Sequence, residues 1–252
     1  MKVSLNDWPT YIAHRGASTL APENSIAAFA TARELGCRAV ELDVHLCKTG
    51  ELVVTHDHWL DRIAGVHKLV EDCSFGELTE LDAGSFFNAK FPDRANPAFA
   101  KERFPTLDAV FETLGPGIHI DIELKTGSMK CGEFARAAAE CIERHGRTDC
   151  IVSSFNPFAL RAYRKYGKLP IAAIYCESNE APFYMRHREC ILLSRPDIKK
   201  PASEIAFRVE RPERGPEPVL VWTVDTKADA DRLLALGARC IITNRVQDFP
   251  RD

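Results

Sequence analysis

The chain reads as an α/β protein, a (β/α)8 TIM barrel with a small insertion after the third strand. Three observations lead there. Short β-rich runs alternate with amphipathic helical stretches from end to end, which argues for a parallel sheet. The 252 residues match the size of one such barrel, typically about 250. The polar residues that interrupt the apolar runs gather near strand ends, where barrels of this kind carry their chemistry.

The strand candidates, in order, are Tyr11–Ala13, Ala39–Leu46, Leu52–Thr55, Ile118–Leu124, Cys150–Ser153, Ile171–Tyr175, Cys190–Leu193, Val219–Val224 and Cys240–Thr243. Nine is one more than an eight-stranded barrel holds. Cys190–Leu193 is short and runs into Arg195-Pro196, so it is set aside as an extended stretch. A helix is expected from Asn24 to Leu35, with Asn24 or Ser25 as N-cap and Gly36 just past its end. A second spans Gly132 to His145, with Phe134, Ala138, Cys141 and Ile142 on one stripe and Gly146 as its stop. A third covers Thr226 to Leu236 and closes at Gly237. From His56 to Pro105 no strong strand is found, and Gly, Pro, Asn and Asp recur. So long a connection carries function or structure of its own. Residues 57–105 are therefore read as a cap inserted within a single domain spanning 1–252.

Composition narrows the function classes. The chain has 33 basic and 36 acidic residues, a net charge of −3, and no long basic run. Nucleic-acid binding by phosphate neutralisation is not expected. No apolar stretch approaches the length of a membrane span, and Met1–Trp8 lacks the apolar core of a secretory signal. The nine cysteines are scattered, odd in number and without a C-x-x-C pair. They read as reduced thiols used as small apolar residues, which fits a cytoplasmic protein.

Strands buried on both faces of a parallel sheet should be nearly continuous apolar runs. Two are not. Ala39–His45 puts Glu41, Asp43 and His45 on one parity, and His119–Lys125 does the same with His119, Asp121, Glu123 and Lys125. The interleaved residues are all apolar and suit packing under helices, so the polar set points into the barrel. Burying carboxylates costs several kcal/mol each unless they are paired or hold a cation. Glu41, Asp43 and Glu123 sit near C-terminal strand ends, and an all-oxygen donor set suits one divalent cation: Mg²⁺, Mn²⁺ or Ca²⁺. The alternative is a structural charge network with Lys125, His45 or His119 and no metal.

His14, beside Arg15-Gly16, and His56, beside Asp57, flank this cluster at the ends of strands one and three. Two imidazoles supply a general acid and a general base near neutral pH. Arg15 and Lys125 add permanent positive charge that suits a bound phosphate. Trp222 ends a late strand and is either core or the lining of a substrate pocket. His45, His58, His67, His119, His145 and His187 are read as ordinary hydrogen-bonded residues, with His119 in a lower barrel layer and His145 in the last turn of a helix.

The motifs His14-Arg15-Gly16-Ala17, Pro22-Glu23-Asn24-Ser25, Glu41-Leu42-Asp43-Val44, His56-Asp57 and Glu123-Leu124-Lys125, in this order, resemble the glycerophosphodiester phosphodiesterases. So do Val221-Trp222-Thr223-Val224 and Ile241-Ile242-Thr243, and the likeness runs from about residue 10 to 247. The resemblance implies a TIM barrel with an insertion after the third strand. It makes His14 and His56 the catalytic acid/base pair, and Glu41, Asp43 and Glu123 the ligands of a divalent cation. It makes Arg15 and Lys125 phosphate contacts, and Trp222 a substrate-pocket residue. The implied substrate is a small glycerophosphodiester, cleaved to glycerol 3-phosphate and an alcohol through attack by the glycerol 2-hydroxyl. Two departures stand at the late-strand rim: Asp225 where the family commonly has Asn, and Asn244 where an Asp often follows. They bear on substrate preference. A lysophospholipase D activity would need an apolar groove near the cap, for which Phe86, Phe87, Phe91 and Phe99 are candidates, although they read first as local core of the insertion. A non-catalytic barrel with a structural polar interior is the reading from another class. Neither the headgroup nor the oligomeric state is legible.

Overall fold

The structure, a computed structural model, describes residues 5–177, 185, 189–208 and 217–250. His187 and both chain ends, and with them the outer limits of the expected 1–252 domain, lie outside the described residues. Nine strands occur among those described: β1 (Tyr11–His14), β2 (Ala39–Leu46), β3 (Leu52–Val54), β4 (His119–Leu124), β5 (Cys150–Ser154), β6 (Ile171–Tyr175), β7 (Ile198–Pro201), β8 (Leu220–Val221) and β9 (Cys240–Thr243). Eight of them, all but β3, pair in parallel in the order β7-β6-β5-β4-β2-β1-β9-β8. Isolated parallel bridges Lys199–Val219 and Ala202–Trp222 bring the two ends of that order together, so the sheet curls into a nearly closed barrel.

The staves are not quite those read from the sequence. Leu52–Thr55 was counted among the eight, but β3 runs antiparallel to β2, with Val44 opposite Val54 and Leu46 opposite Leu52. Only residues 47–51 separate the two strands. A parallel return needs a crossover of about a dozen residues or more, so the chain turns back as a hairpin. The missing stave is β7, Ile198–Pro201, whose Lys199-Lys200 and Pro201 look like a polar connection in sequence. Cys190–Leu193 is not extended: it lies in the helix Glu189–Ser194. The Val219–Val224 candidate forms ladder pairs only at Leu220 and Val221.

Helices form where their signals stood. Ile26–Glu34 is capped by Ser25, whose hydroxyl accepts from the Ala28 amide, and Gly36 follows its end in the left-handed region. Gly132–Arg144 ends with His145 as C-cap, and Lys227–Ala235 is capped by Thr226. The connection 57–105 holds short helices at Asp61–Ala64, Phe75–Thr79 and Ser85–Lys90. It packs its own apolar cluster, including Leu60, Ile63, Val70, Leu78 and Phe104, against Val53 of the hairpin. Phe87 is buried against Phe91 and Phe99, with ring centroids 4.9 and 5.3 Å away, and Phe86 is partly buried at the edge of that cluster. These rings are local core rather than an acyl groove.

All nine cysteines are unpaired by disulfides, and eight are buried. Burial pushes the Cys141, Cys150 and Cys190 thiols up to about 12, so they behave as apolar filling. Among the described residues no helix is long and apolar enough to cross a membrane.

Candidate active site

The β2–β4 register decides the site. Ala39 pairs with His119, Glu41 with Asp121 and Asp43 with Glu123, so the two polar parities lie side by side on one face. That face is the barrel interior. Glu41, Asp43, Asp121 and Glu123 are all buried, and one oxygen from each of Glu41, Asp43 and Glu123 lies within 4.8 Å of the others.

Three permanent cations meet these acids. Lys125 Nζ lies 2.8 Å from Glu123 Oε1 and 3.2 Å from Asp43 Oδ1. Arg15 Nε lies 3.2 Å from Asp43 Oδ2, and its Nη1 donates to Glu23 Oε1 at 2.7 Å. Lys200, on the stave that sequence reading missed, lies 2.8 Å from Asp121 Oδ2 and 3.9 Å from Glu41 Oε1. Ser153 completes this floor by donating to Asp121 Oδ1 at 2.6 Å. A charge network of the kind weighed as the alternative to a metal is present with Lys125, as that reading had it, and with Arg15 and Lys200 where it named His45 or His119. His119 packs below, 4.9 Å from the Trp8 ring, and His45 turns to Glu71. The cue for Lys200 was its parity with Ile198, which marks both as facing the interior.

The pKa directions follow from this arrangement. Burial, then the neighbouring Asp43, holds the Glu41 carboxyl well above the usual range. For Asp43, Lys125 and Arg15 outweigh burial and hold it well below. Asp43 Oδ1 and Glu123 Oε1 are buried and face the Lys125 ammonium. An all-carboxylate oxygen donor set fits a hard divalent cation.

The β1–helix turn aims two of these groups. Arg15 and Gly16 both adopt left-handed backbone, φ 58° and 78°. For a non-glycine residue this costs roughly 1–2 kcal/mol. A Cβ at Gly16 would come within 2.8 Å of the Ala28 carbonyl carbon, so only glycine fits there. The turn directs the Arg15 amide onto Glu41 Oε2 at 3.2 Å. Asn24, also left-handed, donates from Nδ2 to Asp43 Oδ2 at 2.8 Å. In sequence it passed for a helix cap, a role that Ser25 takes.

The two histidines differ in their backing. His14 Nδ1 lies 2.6 Å from Asn244 Oδ1, and Asn244 is oriented by Asp225, which accepts from its Nδ2 and its backbone amide, each at 2.8 Å. A carboxamide oxygen only accepts, so Nδ1 carries the proton and Nε2 presents a lone pair, 3.7 Å from Glu41. Burial, then Arg15, lowers His14 to about 3 and keeps it neutral. His56 Nδ1 instead donates to the Asp57 carboxylate at 2.6 Å, and Arg62 Nε holds Asp57 from behind at 2.5 Å. Asp225 and Asn244, expected to bear on substrate preference, thus stand behind His14.

One cavity of about 100 Å³ gathers His14, Arg15, Glu41, His56, Glu123, Lys125, Lys200 and Trp222. It adjoins an outer cleft of about 400 Å³ that shares His56 and Lys125 and is otherwise lined by the start of the insertion. Trp222 is half buried, donates from Nε1 to the Lys200 carbonyl at 2.9 Å and stands edge-on to Phe155. It therefore lines the cavity while resting on the core. Asp43 sits just behind the lining, under Arg15 and Lys125.

Comparison with known proteins gives the family. Residues 14–248 match the model of the Glycerophosphoryl diester phosphodiesterase family. A glycerophosphodiester phosphodiesterase from Caldanaerobacter subterraneus subsp. tengcongensis is 36% identical over 92% of this chain and 93% of its own length. A solved phosphodiesterase from Oleispira antarctica, in complex with the product sn-glycerol-3-phosphate, superposes with a TM-score of 0.80 at 26% identity, covering 95% of this chain and 94% of that one. The glycerophosphodiester phosphodiesterase of Thermotoga maritima gives 0.71 at 27% identity, covering 95% and 96%.

Proposed function

The chain belongs to the glycerophosphoryl diester phosphodiesterase family, and from that membership we propose that it hydrolyses glycerophosphodiesters to sn-glycerol 3-phosphate and an alcohol. The observation that carries the reading is the single cavity in which His14 and His56 face Glu41, Glu123, Arg15 and Lys125. Glu41, Asp43 and Glu123 would hold one divalent cation, Mg²⁺, Ca²⁺ or Mn²⁺, which would supply positive charge against the phosphate and make a substrate hydroxyl easier to deprotonate.

The chain's own residues do the rest. His14, neutral and with Nε2 free, takes the proton from the attacking glycerol 2-hydroxyl. His56, oriented by its hydrogen bond to the Asp57 carboxylate, gives a proton to the departing alkoxide. The resulting cyclic phosphate is opened by water with the two roles reversed. Arg15 and Lys125 stabilise the charge that grows on the phosphoryl oxygens. Trp222 lines the glycerol side. Residues 57–105 act as a cap over the barrel's active end within one domain, and the reduced thiols fit a cytoplasmic enzyme.

The test is a headgroup panel of glycerophospho-choline, -ethanolamine, -glycerol and -inositol, assayed with each metal and with chelator by coupled detection of glycerol 3-phosphate. Release with metal and none with chelator is expected. No release from any diester with any of the three ions would sink the reading. Lysophosphatidylcholine belongs on the same panel and should turn over far more slowly, since the phenylalanines of the insertion pack on one another.

A further inference from the structure

We propose that His45, His58 and Glu71 form a second metal site, separate from the carboxylate cluster, that takes a borderline transition-metal ion such as Zn²⁺. The three residues come from different segments: His45 from β2, His58 from the connection after β3, and Glu71 from the short 3-10 turn Val70–Asp72. One donor atom from each lies within 4.8 Å of the others.

The argument begins with protons. The His45 ring is fully buried. Its Nε2 lies 3.3 Å from the His56 carbonyl oxygen, and its Nδ1 lies 3.0 Å from Glu71 Oε1. Both partners are acceptors, yet a neutral imidazole has a single N–H. One ring nitrogen therefore faces an oxygen with no proton between them, unless the ring is charged while fully buried. A cation on Nδ1 removes the conflict, because Nε2–H is then free to donate to the His56 carbonyl. Metal-ligating histidines are generally held in this way, with the second nitrogen on a backbone carbonyl or carboxylate.

The neighbours converge on the same point. His58 Nδ1 lies 2.6 Å from the same Glu71 Oε1, and the two imidazoles meet edge to face with centroids 4.7 Å apart. Glu71 Oε2 is buried and accepts no hydrogen bond, which leaves an oxygen for the ion. A tetrahedral ion with bonds of about 2.1 Å spaces its ligands about 3.4 Å apart. The nitrogens need only withdraw from Oε1 by less than about 1 Å, a side-chain adjustment. Two imidazoles and one carboxylate select zinc and its neighbours over Mg²⁺ or Ca²⁺. The comparable trio Asp108, Cys141 and His145 is weaker, because Asp108 Oδ1 already takes Arg144 at 2.5 Å and His145 at 2.8 Å. Since His45 holds the His56 carbonyl, an ion here braces the backbone that carries His56.

The test uses tag-free, full-length protein, stripped with chelator and titrated calorimetrically with Zn²⁺ in excess Mg²⁺. One Zn²⁺ per chain is expected, at about 1 μM or tighter. Binding should vanish in His58→Ala and in Glu71→Gln and persist in Glu41→Gln. The His58 side chain is 43% exposed and Glu71→Gln is nearly isosteric, so both variants should fold. Co²⁺ in place of Zn²⁺ should add a visible absorption band that both variants lack. Absence of Zn²⁺ binding in the wild type, undiminished binding in either variant, or loss of binding in Glu41→Gln would overturn the proposal.

Discussion

The two ends of the barrel interior are built from the same strands with opposite chemistry. At the lower end Trp8, Ile12, Ala39, Ile151, Ala172, Ile198, Leu220, Cys240 and Ile242 join one apolar cluster. Two residues further along β2, β4 and β7, the inward positions are Glu41, Asp121 and Lys200, and beyond them stand Asp43 and Glu123. The lower layer gains free energy by leaving water, roughly 1.5–3 kcal/mol for each large side chain. The upper layer gains little, because the attraction between buried charges is largely spent on their desolvation. Stability and chemistry are therefore separated along a single strand by one repeat of its alternation. The lower end can be altered only at a cost in folding, the catalytic side chains of the upper end at a cost in turnover, and its buried ion pairs only as pairs.

Substitutions at both ends sharpen or break that contrast. His14→Ala and His56→Ala should each lower kcat/KM on the best diester by about 10²–10⁴-fold with an unchanged denaturation midpoint. Full turnover in either would remove the residue from the roles given to it. Lys200→Met should cost about 3–5 kcal/mol in urea unfolding, since it strands Asp121 in the interior. Pairing it with Asp121→Leu should recover most of the loss, as expected of a buried ion pair that is close to neutral overall. Leu220→Ala, below, should cost about 2–5 kcal/mol and leave kcat near wild type at a temperature where the protein stays folded. A large fall in kcat there would show that the two layers are coupled. Asn244→Ala should lower kcat about 10–100-fold with little change in KM, because His14 loses the partner that sets its tautomer. The exchange Asp225→Asn with Asn244→Asp should restore more activity than Asn244→Asp alone, which places two carboxylates face to face.

The smallest expected effect concerns pH. Burial alone would raise Glu23, but the hydrogen bonds and charges of Arg62 and Arg15 outweigh it and hold the carboxyl at about 2. A carboxyl lowered in the folded state contributes stability that is present above its unfolded pKa and lost as pH falls through the folded one. Wild type should exceed Glu23→Gln by about 1–3 kcal/mol above pH 5, and the gap should close towards pH 2. A gap that widens on acidification would reverse the sign and contradict the ion pairs drawn around Glu23.

Much of the upper layer was legible because it breaks a rule. Carboxylates at alternate positions of an otherwise apolar strand are conspicuous, and Glu41, Asp43, Glu123 and Lys125 stood out on that ground. His14 and His56 were found by their places just beyond strands. Lys200 was missed because Ile198–Pro201 carries two lysines and a proline in four residues, a composition typical of loops. Its strand character comes from pairing with β6 over its whole length. Leu52–Val54 failed in the other direction: its residues favour a strand, as found, but the choice of partner belongs to the length of the turn before it.

Local sequence was enough to set the alternation of strands and helices, the parity of the buried charges and the near-neutral overall charge. Each depends on residues close together in the chain, where backbone preference and side-chain alternation decide the outcome. The tertiary structure alone decided what meets across the barrel: Lys200 on Asp121, Asn244 on His14, Glu71 between His45 and His58. Those partners lie tens to hundreds of residues apart, and only closure of the sheet sets their register. The polarity of a buried group can thus be read locally, while the partner that makes its burial tolerable is supplied by the fold.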